Sequence, residues 1–195
     1  MNDKLYKRLE IFGGAVVFAI ASLLHFIYDL TGESILGALF GAVNESVWEH
    51  LKVFAIAYIS WAIIELLWAK PPLRKFVWGK ALGLYFLCIS IAVFFYLYTP
   101  LVGKPILILD ILASLCFSFL AHFVSYKVTL FKENRGQNFY TGIMMIFLAL
   151  IMILSFTYYP PKTPLFKDNS TGLYGIVSSS PKSIPTFSEP SEVFL

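Results

Sequence analysis

Charge is what this sequence has least of. Charged side chains make up 14% of its 195 residues and hydrophobic ones 58%, whereas an ordinary water-soluble domain is about 25% charged. With a mean hydropathy of +0.73, a conventional soluble globule is excluded. Basic residues are also too few and too dispersed for a nucleic-acid partner: the net charge is only +3, and no single basic patch forms. Cysteine is nearly absent. Cys88 and Cys116 each fall within an apolar segment, where they read as small buried hydrophobes and offer no disulfide framework. Histidine occurs three times, so a site built on imidazole has few residues to draw on. There is no internal repeat, and five spans do not divide into the inverted halves of a typical transporter.

What the chain has instead is long apolar runs. A membrane-spanning helix needs about 20 apolar residues in sequence. The segments 9–28, 47–68, 77–98, 106–126 and 140–159 meet or nearly meet that length. The first has basic residues ahead of it and Ala19-Ile20-Ala21 within it, as a signal peptide would, but the apolar run continues to Tyr28, which favours a retained helix. The expected fold is all-α, an integral membrane bundle of about five transmembrane helices. Its bundle covers 1–159, followed by an ordered tail segment at 160–176 and a disordered Ser/Pro-rich tail at 177–195.

Lysine and arginine suggest the orientation. They gather at Lys4, Lys7 and Arg8, in the loop after the second span (Lys70, Arg74, Lys75, Lys80), and after the fourth (Lys127, Lys132, Arg135). The segment from Asp29 to Glu45 has none. By the positive-inside rule, the N-terminus is expected in the cytoplasm and the C-terminus outside, in a multi-pass protein of the cell membrane. Trp68, Trp78, Tyr96, Tyr98, Tyr126, Tyr140, Tyr158 and Tyr159 near the span ends fit interfacial belts. The stretch at about 34–43 is too short to cross and reads as re-entrant or interfacial. Its Gly37 and Gly41 permit close approach to a neighbouring backbone.

Against this background, Asn44-Glu45-Ser46-Val47-Trp48-Glu49-His50-Leu51-Lys52 is unusual. It concentrates polar groups at the mouth of the second span. Ser46 and Glu49 have the spacing of a capping box, which would account for both without any ligand. Other groups at the same level are not explained by capping. His25 and Asp29 share a helical face in the outer third of the first span. Asp110 lies five residues beyond Pro105, about 8 Å deep at 1.5 Å per residue, where an ionisable group normally faces the bundle interior or water. His25, Asp29, Asn44, Glu45, Ser46, Glu49, His50 and Asp110 are therefore the ligand-binding candidates. Glu65 and His122 belong elsewhere, toward the cytoplasmic ends of their spans, and read as a structural pair.

The stretch Asn44–Lys52, together with Tyr159–Ile176 (YPPKTPLFKDNSTGLYGI), resembles an uncharacterised family of small prokaryotic polytopic membrane proteins, described only as a domain of unknown function. The resemblance covers the chain from the first span to Ile176 and implies a shared fold and membrane location, with no activity. It also implies that Asn44, Glu45, Ser46, Trp48, Glu49 and His50 form a family motif. Membrane hydrolases of the alkaline ceramidase type offer only an analogy, because the chain lacks their H-x-x-x-H.

Three functional readings follow. The first is an outer-side Glu/His/Asp pocket for a cation or small polar ligand. A second is a metal-dependent hydrolase at the outer leaflet, with His25, His50 and Asp110 as metal ligands and Glu45 or Glu49 as general base. In the third, the cluster only ties helices together, as ion pairs often do. The cofactor these readings admit is a divalent metal. The partners they admit are the lipid bilayer and a second copy of the chain in a homodimer.

Overall fold

The computed structural model describes residues 2–131 and 137–176. Lys132 and Arg135, used above for orientation, and the Ser/Pro-rich tail at 177–195 lie outside the described residues. The elements are α1 (Asp3–His25), α2 (Ile27–Leu30), α3 (Ile35–Phe40), α4 (Val47–Ala69), α5 (Leu73–Val102), α6 (Leu107–Leu130) and α7 (Gln137–Tyr158), then a 3-10 turn at Pro164–Phe166. Five of these helices are long and apolar enough to cross a membrane. Helix is the form the sequence must take there, because it satisfies every backbone amide where no water is available. The protein is an integral membrane helical bundle.

The helix ends depart from the apolar runs that predict them. α1 stops at His25, where Phe26 adopts φ −94° and ψ −4°, and a separate turn, α2, carries the chain on to Leu30. At the other face α4 ends on Lys70 in the left-handed conformation, and Pro71 and Pro72 lead directly into α5. α5 begins at Leu73, earlier than the apolar run. Lys80, placed in a loop by sequence, is therefore a buried residue within α5. The cysteines also differ from expectation: Cys88 is half-buried and Cys116 is exposed on α6.

α1, α4, α5 and α6 close into a ring, each packed on two others, and α7 joins it alongside α5. Large apolar side chains such as Leu107, Ile108, Phe123, Met144 and Phe147 point outward, an arrangement that suits lipid contact. Two glycines let α5 and α6 approach closely. A Cβ at Gly79 would lie 2.7 Å from the Ser125 carbonyl oxygen, and one at Gly83 2.8 Å from that of Ala121. Such G-x-x-x-G spacing brings helix backbones together in membranes.

The ring encloses ionisable groups as well as apolar ones. Each of its helices contributes one: Glu10 from α1, Glu65 from α4, Lys80 from α5 and His122 from α6, all buried. Lys80 Nζ lies 3.0 Å from Glu10 Oε2 and is also bound by Glu65 Oε2. Glu65 thus does not reach the interface, and its ion-pair partner is Lys80, not His122. Pairing is what allows these charges to remain in a low-dielectric interior.

Candidate functional site

The far face of the bundle, opposite the N-terminus, is organised by the start of α4. Ser46 is the N-cap (φ −78°, ψ 154°), and its hydroxyl accepts from the Glu49 amide at 3.3 Å. Ser46 N–H in turn donates to Asn44 Oδ1 at 2.9 Å, so Asn44 shapes the turn that enters the helix. The Glu49 side chain does not return to Ser46, as a full capping box would require. It accepts instead from Val43 N–H at 3.0 Å and pairs with Lys52 at 2.6 Å. Lys52 donates further to the Ala38 carbonyl at 2.9 Å and to Thr157 Oγ1 at 3.2 Å. This ion pair therefore ties α3, α4 and α7 together. Gly37 and Gly41 of the 34–43 stretch fold closely against α2 and the residue after it: a Cβ on Gly41 would come within 2.9 Å of Tyr28 N.

Glu45 has a different setting. It projects from the turn before α4 toward the end of α1, half-exposed between two imidazoles. His25 Nε2 is 3.3 Å from Glu45 Oε1, and His50 Nε2 is 3.7 Å from Glu45 Oε2. The imidazole rings lie with centroids 4.9 Å apart. His50 Nδ1 lies 2.8 Å from the Ser46 carbonyl. A carbonyl can only accept, so Nδ1 carries a proton, and Nε2 is the ring nitrogen that faces Glu45. The hydrogen bond with His25 holds the Glu45 carboxyl below its ordinary range, against the opposing effect of burial.

The segment after α7 fastens this turn in place. Asn169 Nδ2 donates to the Glu45 carbonyl at 2.9 Å, and Asn44 Nδ2 donates to the Gly175 carbonyl at 2.9 Å. Asp168 closes the tight turn that presents Asn169. Its Oδ1 accepts from both Ser170 N–H and Ser170 Oγ at 2.9 Å, and its Oδ2 from Thr171. Phe166 packs against Trp48 with the rings tilted and their centroids 4.9 Å apart.

Two imidazoles and a carboxylate suit a borderline divalent cation such as zinc. Ligands at about 2.0–2.1 Å around a tetrahedral metal stand about 3.3 Å apart. One donor atom from each residue lies within 4.8 Å of the others, and the two histidines stand 3.3 and 3.7 Å from different oxygens of the Glu45 carboxylate. The residues fit such an ion with small movements.

The other candidates lie apart from this triad. Asp29 is exposed on α2, because the break at Phe26 ends the helical face it was expected to share with His25. Asp110 Oδ1 accepts from Tyr98 OH at 2.7 Å, and Tyr98 OH accepts from Ile106 N–H at 3.0 Å. Asp110 thus pins the α5–α6 corner, and the carboxylate that joins the histidines is Glu45. Sequence reading did not anticipate Asn169 or Thr157, whose partners are more than a hundred positions away. Nor did it place Glu10 or Lys80 in the core, although Gly79 and Gly83 around Lys80 carry the spacing of a helix interface.

Neither a curated protein nor a solved structure matches this chain. A family model matches it over residues 2–176, a range that takes in the α1–α7 bundle, the 3-10 turn and the Asn169 and Gly175 anchors. The chain belongs to a family of unknown function, DUF6512.

Proposed function

We propose that this membrane protein binds a divalent transition-metal cation at its far face, through His25, Glu45 and His50. One observation carries the reading: a ring nitrogen from each of His25 and His50 and a Glu45 oxygen converge within 4.8 Å. The Nδ1–H bond of His50 to Ser46 supports it, since a hydrogen bond of this kind orients a metal-ligating imidazole. The hydrolase reading is less well served. Glu49 is committed to Lys52 and Glu45 would be a ligand, so neither is free to act as general base. The lysine and arginine distribution supports placing this face outside the cell membrane.

Thermal stability of the purified full chain, measured with zinc, cobalt and magnesium, tests the reading. A ligand at a hundred times its dissociation constant stabilises by about 2.7 kcal/mol. Zinc or cobalt should raise the midpoint of the wild type and magnesium should not. His25→Ala, Glu45→Gln and His50→Ala should each abolish the shift, while Asp110→Asn keeps it. Were no cation to stabilise the wild type, the cluster would be a structural tie between α1 and α4.

A further inference from the structure

The polar cluster inside the four-helix ring has a carboxylate that is fully satisfied and one that is not. Glu10 Oε1 accepts from Tyr6 OH at 2.5 Å and from Ser125 Oγ at 3.0 Å, while Oε2 binds Lys80 at 3.0 Å. Glu65 gives Oε2 to the same ammonium, but its Oε1 is buried and meets no donor. The Trp61 indole N–H, one turn away on α4, also faces Glu65, but its hydrogen bond goes to the Leu9 carbonyl at 3.2 Å.

His122 presents a matching deficiency. Its Nδ1 lies 2.9 Å from the Ser118 carbonyl, so Nδ1 carries the proton and Nε2 of the neutral ring is a lone-pair acceptor. That nitrogen is also buried without a partner. A carboxylate oxygen of Glu65, one of Glu10 and a ring nitrogen of His122 all lie within 4.8 Å of one another, and Nε2 is the ring nitrogen not engaged by Ser118. Acceptors left facing each other in a buried site are unfavourable unless something between them donates. Counting charge leads to the same point. Two carboxylates face one ammonium, leaving one negative charge at membrane depth. A single proton resolves both problems, because it neutralises the excess charge and turns Glu65 from acceptor into donor.

We propose that Glu65 and His122 hold one exchangeable proton, carried on Glu65 and donated toward His122 Nε2, making this cluster a proton-binding site. The proton has a route. A cleft of about 500 Å³ between α1 and α6 is lined by Lys7, Glu10, Phe119, His122, Tyr126 and Lys127. Lys7 and Lys127 place its mouth at the N-terminal face, and Glu10 and His122 form its inner end. Loading passes a proton from a hydronium ion in the cleft to His122 Nε2, which lines it, and on to the Glu65 carboxylate, leaving water behind; unloading reverses the transfer. No other bond changes. The groups around the pair are Tyr6 and Glu10 of α1, Tyr58 and Trp61 of α4, Lys80 of α5, and Ser125 and Thr129 of α6. The Tyr58 ring packs against His122 with centroids 4.9 Å apart. Lys80 is the cation among them, and both carboxylates already share it.

Infrared difference spectroscopy of the full chain in lipid vesicles provides the test. The wild type at neutral pH should show the carbonyl stretch of a protonated carboxylic acid, and raising the pH should remove it. Glu65→Gln should lack the band and Asp110→Asn should keep it. If Glu65→Gln fails to fold, nitrogen NMR of histidine-labelled wild type replaces it, with His25→Ala and His50→Ala assigning the remaining signal to His122. That signal should report a hydrogen-bonded, unprotonated Nε2 that changes over the same pH interval as the carboxyl band. Absence of the band in wild type, its persistence in folded Glu65→Gln, or an Nε2 signal indifferent to pH would each overturn the proposal. So would loss of the band on adding sodium or potassium at constant pH, which would make this a metal-cation site.

Discussion

Glu49 and Lys52, one turn apart on α4, form a 2.6 Å ion pair in which both side chains are buried. Each also holds a backbone group from the preceding segment: Glu49 the Val43 N–H and Lys52 the Ala38 carbonyl. The carboxylate that sequence alone would explain as a helix cap is therefore the counter-charge of a buried lysine.

Removing one member of a buried pair leaves the other uncompensated, at a cost of about 3–5 kcal/mol. Glu49→Gln should be destabilising to that extent, although glutamine would suit a capping box equally well. The double variant Glu49→Gln/Lys52→Met should recover much of the loss. Thermal unfolding in detergent measures both, and a silent Glu49→Gln would show that the pair contributes little.

Asp168 predicts an acid-sensitive contribution from the segment after α7. Burial raises its carboxyl, but hydrogen bonds from the Thr171 hydroxyl and from the Ser170 amide and hydroxyl outweigh this and hold it below the ordinary 3.8. The sign follows from linkage: its stabilisation is complete above 3.8 and is lost as pH falls through the lower folded value. Asp168→Asn should therefore cost about 1–2 kcal/mol near neutrality, with the difference from wild type shrinking in acid. Melting temperatures across an acid series would reveal a constant difference if the idea is wrong.

Gly83 is where α5 meets α6. A methyl group there would stand 2.8 Å from the Ala121 carbonyl oxygen and would collide with the Tyr58 hydroxyl. A backbone carbonyl cannot rotate away as a side chain can. Gly83→Ala should cost about 1–3 kcal/mol by overpacking. Gly103→Ala is a useful contrast, because nothing lies within 4 Å of its Cβ and only its positive φ of 82° would be strained.

Orientation is tested by reporter fusions at Leu73 and Lys104, which lie at opposite ends of α5. The positive-inside rule predicts cytoplasmic reporter activity at Leu73 and external activity at Lys104. The reverse pattern would turn the His25–Glu45–His50 face toward the cytoplasm and with it the source of any bound cation.

Hydropathy and length were enough to read five spanning helices from this sequence, because a bilayer leaves the backbone few alternatives to a helix. The same local signals marked the turn at Asn44–Ser46 as a helix start and Gly37 and Gly41 as a close approach. Which charge meets which was not legible, because those partners are far apart along the chain. Glu10 and Lys80 are 70 residues apart, and Asn169 finds the Glu45 carbonyl across 124. Lys80 read as a loop residue because a lysine beside a span end ordinarily reaches the interface. Only the closing of α1, α4, α5 and α6 into a ring put two carboxylates around it. Similarly, two histidines and several acids at one level predicted a polar pocket, but composition could not choose between Asp110 and Glu45. Tertiary packing made that choice: the break at Phe26 and the anchor at Asn169 brought Glu45 between His25 and His50, while Tyr98 engaged Asp110 at the α5–α6 corner.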